Sequence, residues 1–216
     1  MKKNHLVILG AIGLLLVFAI GGYFYKQQRS EKTQKMAKQT ESPLSRAYAQ
    51  TLGPDDAKVV IVEFFDPGCE TCRMFAQPVK DLLEAYPGKV RLVKRYAPFH
   101  HGADKVVQIL EAARLQGKYW ETLQLLFDGQ HRWADHHSPN PDMVWELVAS
   151  LGLDMERLRR DANDPKILAI VQQDIADAQA LGVHKTPGFF VNGKTMPSFG
   201  LEQLQTLVAE EVSAQY

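Results

Sequence analysis

Two cysteines stand three positions apart in "DPGCETC", residues 66–72, and the 216-residue chain has no others. Thiols at this spacing can form a structural staple, hold a metal, or act as a redox couple. As a staple the pair is weak, because closing so short a loop removes only about 2 kcal/mol of chain entropy before strain is subtracted. Short strained disulfides are also the easily reduced ones. A structural zinc site wants four ligands, and no second cysteine pair exists. The spacing therefore favours reversible dithiol–disulfide chemistry. Handling of a soft ion, with Cys69 and Cys72 as Cu(I) ligands, is the alternative.

The rest of the composition excludes more than it suggests. Apolar content of 45% and charged content of 23% suit an ordinary globular core. Basic and acidic residues balance at 25 each, so no global charge points to nucleic acid. His100 and His101, and His131, His136 and His137 in "GQHRWADHHSPNP", read as polar loops. No carboxylate or cysteine completes a metal-ligand spacing with them, so no metal is expected. Trp120, Phe127, Trp133 and Trp145 fall on helical faces or helix ends and read as core. Phe65, Pro98 and Phe189 are expected to line a groove near the cysteines.

Residues 6–25 carry no charge. As a helix they would span about 30 Å, the thickness of a hydrocarbon core. Lys2 and Lys3 precede them, and Tyr23, Phe24 and Tyr25 resemble an interfacial aromatic belt. An uncleaved anchor over residues 1–25 is the reading; a signal peptide cut after a small-residue site, leaving a soluble periplasmic protein, is the alternative. The short basic N-terminus and an oxidised thiol pair both favour a cytoplasmic-membrane protein with its C-terminal part outside. Lys26, Arg29, Lys32, Lys35 and Lys38 count against that orientation. Residues 26–51 are polar, are broken by Ser42–Pro43, and read as a tether.

The cysteines need elements to position them. "KVVIVEFF", residues 58–65, has the near-continuous hydrophobicity of a buried strand. "DPG" breaks it, and a helical pattern follows from Cys69 to Tyr86, with Met74, Phe75, Val79, Leu82 and Leu83 at helical spacing and Pro78 inside. "KVRLVKRYAPF", residues 89–99, alternates like a second strand. Residues 103–181 read as successive helices, with breaks at Gly117 and starts at Pro141 and Pro165. "GFFVNGK" then returns to extended structure, with Asn192–Gly193 as a hairpin turn and "TMPSF", residues 195–199, as the partner strand. A helix over residues 201–213 closes the chain.

This order, with "GPDDAKVVIVEFFDPGCETC", "EAARLQGKYWETLQLLF" and "LGVHKTPGFFVNGK" in sequence, resembles the DsbA-like thiol-disulfide oxidoreductases of the thioredoxin superfamily. The resemblance covers most of residues 52–213. It implies an α/β thioredoxin fold over residues 52–216, with a helical insertion at about 103–181, following the N-terminal transmembrane segment. It also implies disulfide exchange with protein substrates through the Cys69–Cys72 couple, in the direction of oxidation, or of reduction and isomerisation. No cofactor beyond that couple is needed. The resetting partner would be a quinone-linked membrane oxidase or an electron-donating membrane transporter.

Within that resemblance, Cys69 at the first turn of a helix is the expected nucleophile, since free N–H groups there favour a thiolate. Cys72, one turn on, is the expected resolving thiol. Glu70 and Thr71 replace the Pro-His pair of the strongly oxidising members, and the Glu70 carboxylate is expected to oppose Cys69 ionisation, making the couple less oxidising. The resemblance implies that Pro187 is cis and faces the cysteines, exposing the backbone of Thr186 to a substrate strand. It also implies that Glu63, charged within an apolar strand, is a buried acid that takes the Cys72 proton, with Lys94 as its partner.

Overall fold

The computed structural model describes residues 42–135 and 138–216, together with Gly21. Apart from Gly21, the expected membrane span lies outside the described residues, as do His136 and His137. Among the described residues, no helix is long and apolar enough to cross a membrane.

A five-stranded sheet carries the site. Its strands are β1 (Gln50–Leu52), β2 (Val59–Phe65), β3 (Val90–Tyr96), β4 (Gly188–Val191) and β5 (Lys194–Thr195), in the spatial order β1-β3-β2-β4-β5. β2 and β3 run parallel, from Val59 opposite Val90 to Phe65 opposite Tyr96. Helix α1 (Glu70–Ala85) joins them, as a parallel pair requires. Both strands are buried on both faces, which is why β2 reads as an unbroken apolar run. β3 does not alternate as expected, because Lys94 and Arg95 are both buried and each finds a counter-charge. β4 lies antiparallel on the other side of β2, making β2 central.

The hairpin after β4 turns at Asn192 (φ 48°) and Gly193 (φ 79°), the left-handed geometry that Asn-Gly tolerates. Its return strand is only Lys194–Thr195, shorter than the expected residues 195–199, since Pro197 offers no N–H to a ladder. Helix α8 (Leu201–Gln215) then packs beside α1, where Phe75, Val79, Leu204 and Val208 share one core with Val59 and Ile61.

The helical block comprises α2 (Ala103–Arg114), α3 (Tyr119–Asp128), the short α4 (Gln130–Trp133), α5 (Pro141–Val148), α6 (Met155–Asp161) and α7 (Pro165–Ala180). Its boundaries are chemically marked. Gly117 takes φ +74° between α2 and α3. Asn140, Asp154 and Asp164 each cap a following helix through the side chain, with Pro141 and Pro165 at first positions. Phe127 and Trp133 are buried, and Trp120 and Trp145 pack partly buried against the same cluster, as expected of core aromatics. That cluster also contains Phe65, Cys69, Cys72 and Tyr96, so the cysteines sit at the seam between strand ends and helical block.

The folded body begins earlier than residue 52. Leu44 is buried against the sheet face that carries Val62, Phe64 and Val93. Arg46 makes two bonds, of 2.9 and 2.7 Å, to the Asp177 carboxylate, and β1 pairs antiparallel with β3. Residues 42–51 are therefore packed rather than tethering; their three-residue strand and polar anchors leave no periodic signal in the sequence.

Candidate active site

Cys69 is the N-cap of α1, with extended backbone (φ −81°, ψ 120°). Its N–H donates to the Asp66 carbonyl at 3.0 Å, and its Sγ accepts the Cys72 N–H at 3.4 Å. The Sγ also lies 3.4 Å from the Thr186 carbonyl oxygen, to which the thiol donates. Thr186–Pro187 is a cis peptide, immediately before β4. The structure thus brings Cys69, Cys72, Thr186 and Pro187 together from segments more than a hundred residues apart.

The two sulfurs differ in environment. Both are free thiols; Cys72 is fully buried, while Cys69 keeps 7% of its surface exposed. The hydrogen bond with the Cys72 side chain, then that with the Thr186 side chain and those with the backbone of Cys72 and Thr71, hold Cys69 down at about 6 against the burial that would raise it. Burial, then the hydrogen bond and charge of Cys69, then the charge of Glu63, push Cys72 well above an ordinary thiol. Glu70 points to solvent, and Cys69 is acidic despite it.

Glu63 lies in the central strand with Lys94 opposite on β3 and Phe189 opposite on β4. It is fully buried, and Lys94 Nζ stands 2.9 Å from its Oε2 and 4.0 Å above the Phe65 ring. The approach is one of charges: among the described residues, neither Glu63 oxygen receives a well-directed hydrogen bond. Both side chains border a cavity of about 240 Å³, walled by Val79, Trp120, Leu123 and Phe127. The Glu63 and Lys94 groups in that mostly apolar wall give a water molecule hydrogen-bond partners there.

The loop before Cys69 is held by groups whose roles the sequence did not disclose. Asp66, fully buried, accepts the Gly68 N–H at 2.7 Å and the His100 N–H at 2.9 Å, with His100 Nδ1 at 2.8 Å. Gln130 of α4 donates to the carbonyls of Pro67 and Cys69. Asp66 and Gln130 are polar residues beside turns, and only the three-dimensional pairing separates them from ordinary loop residues. His100 is thereby engaged with Asp66, and among the described residues no cluster of three or more metal-binding side chains forms.

Of the expected groove residues, Pro98 is half-buried after β3, and the other two are placed differently. Phe65 and Phe189 are interior, packed against Tyr96 and Phe127 and against Phe75 respectively, because both belong to strands covered on two faces. Apolar surface is supplied instead by Met74, 60% exposed, by Phe199, 57% exposed, and by Phe99. Phe199 stacks 5.2 Å from Phe75 on α1. Met74 keeps the helical spacing of Phe75 and Val79 but is exposed on the first turns of α1.

A family model described as thioredoxin matches residues 45–210. The chain belongs to the thioredoxin family. Among solved structures, a thioredoxin-like oxidoreductase from Silicibacter pomeroyi DSS-3 is 32% identical, with TM-score 0.69, covering 82% of this chain and 100% of that one. Alpha-DsbA1 of Wolbachia pipientis is 19% identical with TM-score 0.67, covering 79% of this chain and 94% of that one, a likeness of fold. The relative named Na(+)/H(+) antiporter NhaA of Herminiimonas arsenicoxydans is 32% identical over 192 residues, 86% of this chain and 30% of that protein. The chain spans less than a third of the length of such antiporter relatives. The thioredoxin-like fold with its helical block is thus shared with DsbA-like proteins.

Proposed function

We propose that the protein is an extracytoplasmic thiol-disulfide oxidoreductase that exchanges disulfides with protein substrates through Cys69 and Cys72. The observation that carries this is the asymmetry of the pair: one acidic sulfur at the rim beside the Thr186 carbonyl, one neutral sulfur behind it. With a pKa of about 6, Cys69 is mostly thiolate at neutral pH. Thiolate is both the attacking and the leaving form in thiol–disulfide exchange.

In oxidation, a substrate thiolate attacks Cys69 Sγ of the protein's disulfide. The Cys69–Cys72 bond breaks, a substrate–Cys69 bond forms, and Cys72 leaves with the electron pair and takes a proton. Glu63, close enough to bear on Cys72 and bordering the cavity, is the group placed to relay that proton through water. A second substrate thiolate then displaces Cys69, which departs readily because its thiolate is stabilised. Run backwards, the same steps reduce a substrate disulfide, with Cys72 resolving the mixed disulfide. Stabilising the Cys69 thiolate favours the dithiol form, and so makes the couple more oxidising than an unperturbed pair.

Thr186, in the bend before β4, presents a backbone carbonyl beside Cys69 that suits strand-like pairing with a substrate segment. Residues 6–25 serve as the membrane anchor, and a quinone-linked oxidase or an electron-donating transporter resets the couple. The likeness to part of proteins named as antiporters supports work at a membrane. The test is to trap the substrate intermediate. Cys72→Ser protein should accumulate a mixed disulfide with a disulfide-bonded peptide, and Cys69→Ser protein should not. Trapping through Cys72 alone would overturn the assignment.

A further inference from the structure

Gln130 is 2% exposed and opens α4, a helix of four residues in the helical block. Its side chain leaves no bonding capacity idle toward the redox loop. Nε2 donates to the Pro67 carbonyl at 2.8 Å and to the Cys69 carbonyl at 3.0 Å. Oε1 accepts from Arg73 Nε at 3.0 Å. One amide therefore bridges the turn before the nucleophile, the nucleophile's own peptide unit, and the first turn of α1.

The Cys69 carbonyl gripped by Gln130 also accepts the Arg73 N–H at 3.2 Å, so it lies where the helix starts. The direction of the Cys72 N–H, which donates to Cys69 Sγ, depends on that start. Gln130 is in turn fixed within the helical block. Its carbonyl accepts the Ala134 N–H at 2.8 Å, and Trp133, almost fully buried, donates Nε1 to the Leu126 carbonyl at 2.8 Å. A second contact locks the same loop: a Cβ at Gly68 would stand 2.7 Å from Pro139 Cγ.

We propose that Gln130 is a positioning residue, through which the helical block holds the Cys69 loop in the conformation that presents the sulfur to the Cys72 amide. This role rests on the reading of Cys69 as nucleophile. Removing the amide frees two buried carbonyls and lets the first turn shift; thiolate stabilisation falls, and the disulfide form gains relative to the dithiol. Gln130→Met keeps the size and loses both donors. Gln130→Asn keeps the amide but shortens its reach, and serves if the methionine variant does not fold. Thr122→Val, a buried change in α3 away from the loop, is the control for general perturbation of the block.

The measurements are the pH profile of iodoacetamide alkylation, the equilibrium with glutathione, and the melting temperature. Gln130→Met should raise the alkylation midpoint by about one pH unit, a roughly tenfold loss of thiolate at pH 5 and about fivefold at pH 6. It should shift the glutathione equilibrium about tenfold toward the disulfide, and Gln130→Asn should do less of both. Thr122→Val should move neither. A wild-type acidic profile that a folded Gln130 variant leaves within twofold, with only the melting temperature lowered, overturns the role alone. An ordinary thiol profile in the wild type overturns both this role and the functional reading.

Discussion

Lys94 and Arg95 are neighbours on β3, both buried, and they point to opposite faces of the sheet into opposite electrostatic arrangements. Arg95 is bonded on every side: to Asp174 through Nε and Nη2, to Asp177 at 2.6 Å, and to the Pro43 carbonyl. Asp174 also accepts the Tyr96 N–H and the Tyr48 hydroxyl, and Asp177 takes Arg46 and Gln173. Lys94 faces a carboxylate that lacks directed hydrogen bonds and borders a cavity. Buried charge that is fully hydrogen-bonded fixes structure. Buried charge with bonding capacity left over can exchange a proton, and the Glu63–Lys94 pair is of that second kind.

The comparison is most severely tested on the satisfied side. Asp174→Ala should take from Arg95 two of its bonds and from the Tyr96 N–H its acceptor, and cost about 3–5 kcal/mol of stability. A thermal melt should show it as a fall of about 10 °C or more, with Cys69 alkylation at 25 °C unchanged. On the other side, Glu63→Gln should leave the fold in place and slow decay of the mixed disulfide by about tenfold to a hundredfold. Stopped-flow decay equal to wild type would remove Glu63 from the proton path and erase the distinction.

A smaller effect separates the thiols themselves. Between the folded Cys69 value of about 6 and its unfolded value of 9.0, the unfolded state holds a proton that the native state has released. Stability of the dithiol form should therefore rise with pH across that window, and be lost as pH falls through about 6. Cys72, raised in the native state, contributes the opposite slope only above its unfolded value of 9.0. Denaturant titrations from pH 5 to 9 should show the rise in wild type and a flatter line in Cys69→Ser. The least effect is expected from Gly68→Ala, about 1 kcal/mol with Pro139 displaced, read from melting and alkylation together.

What was legible in the sequence was local. β2, the N-terminal position of Cys69, the break at Gly117, the Asn-Gly turn and the Thr-Pro step before β4 each depend on residues within a few positions of one another. The Glu63–Lys94 pair was within reach too, since parallel strands joined by one helix constrain their register. What escaped depends on distant partners. Asp66 meets His100 across 34 positions, Gln130 meets Pro67 across 63, and Arg46 meets Asp177 across 131. Arg95 in an apolar strand looks like an alternation, and only the acids of α7 explain its burial. Met74 fits a helical period, but the period does not reveal where the covering sheet ends.

The packing of Pro139 over Gly68 leaves freedom to vary on only one side of Cys69. Upstream, an added methyl group collides with a neighbouring ring. Downstream, Glu70 faces water and Thr71 is half-buried, so either can be exchanged with little disturbance to the interior. A lineage or a protein engineer could retune this couple by rewriting the two residues between the sulfurs, while the glycine ahead of them stays unchanged.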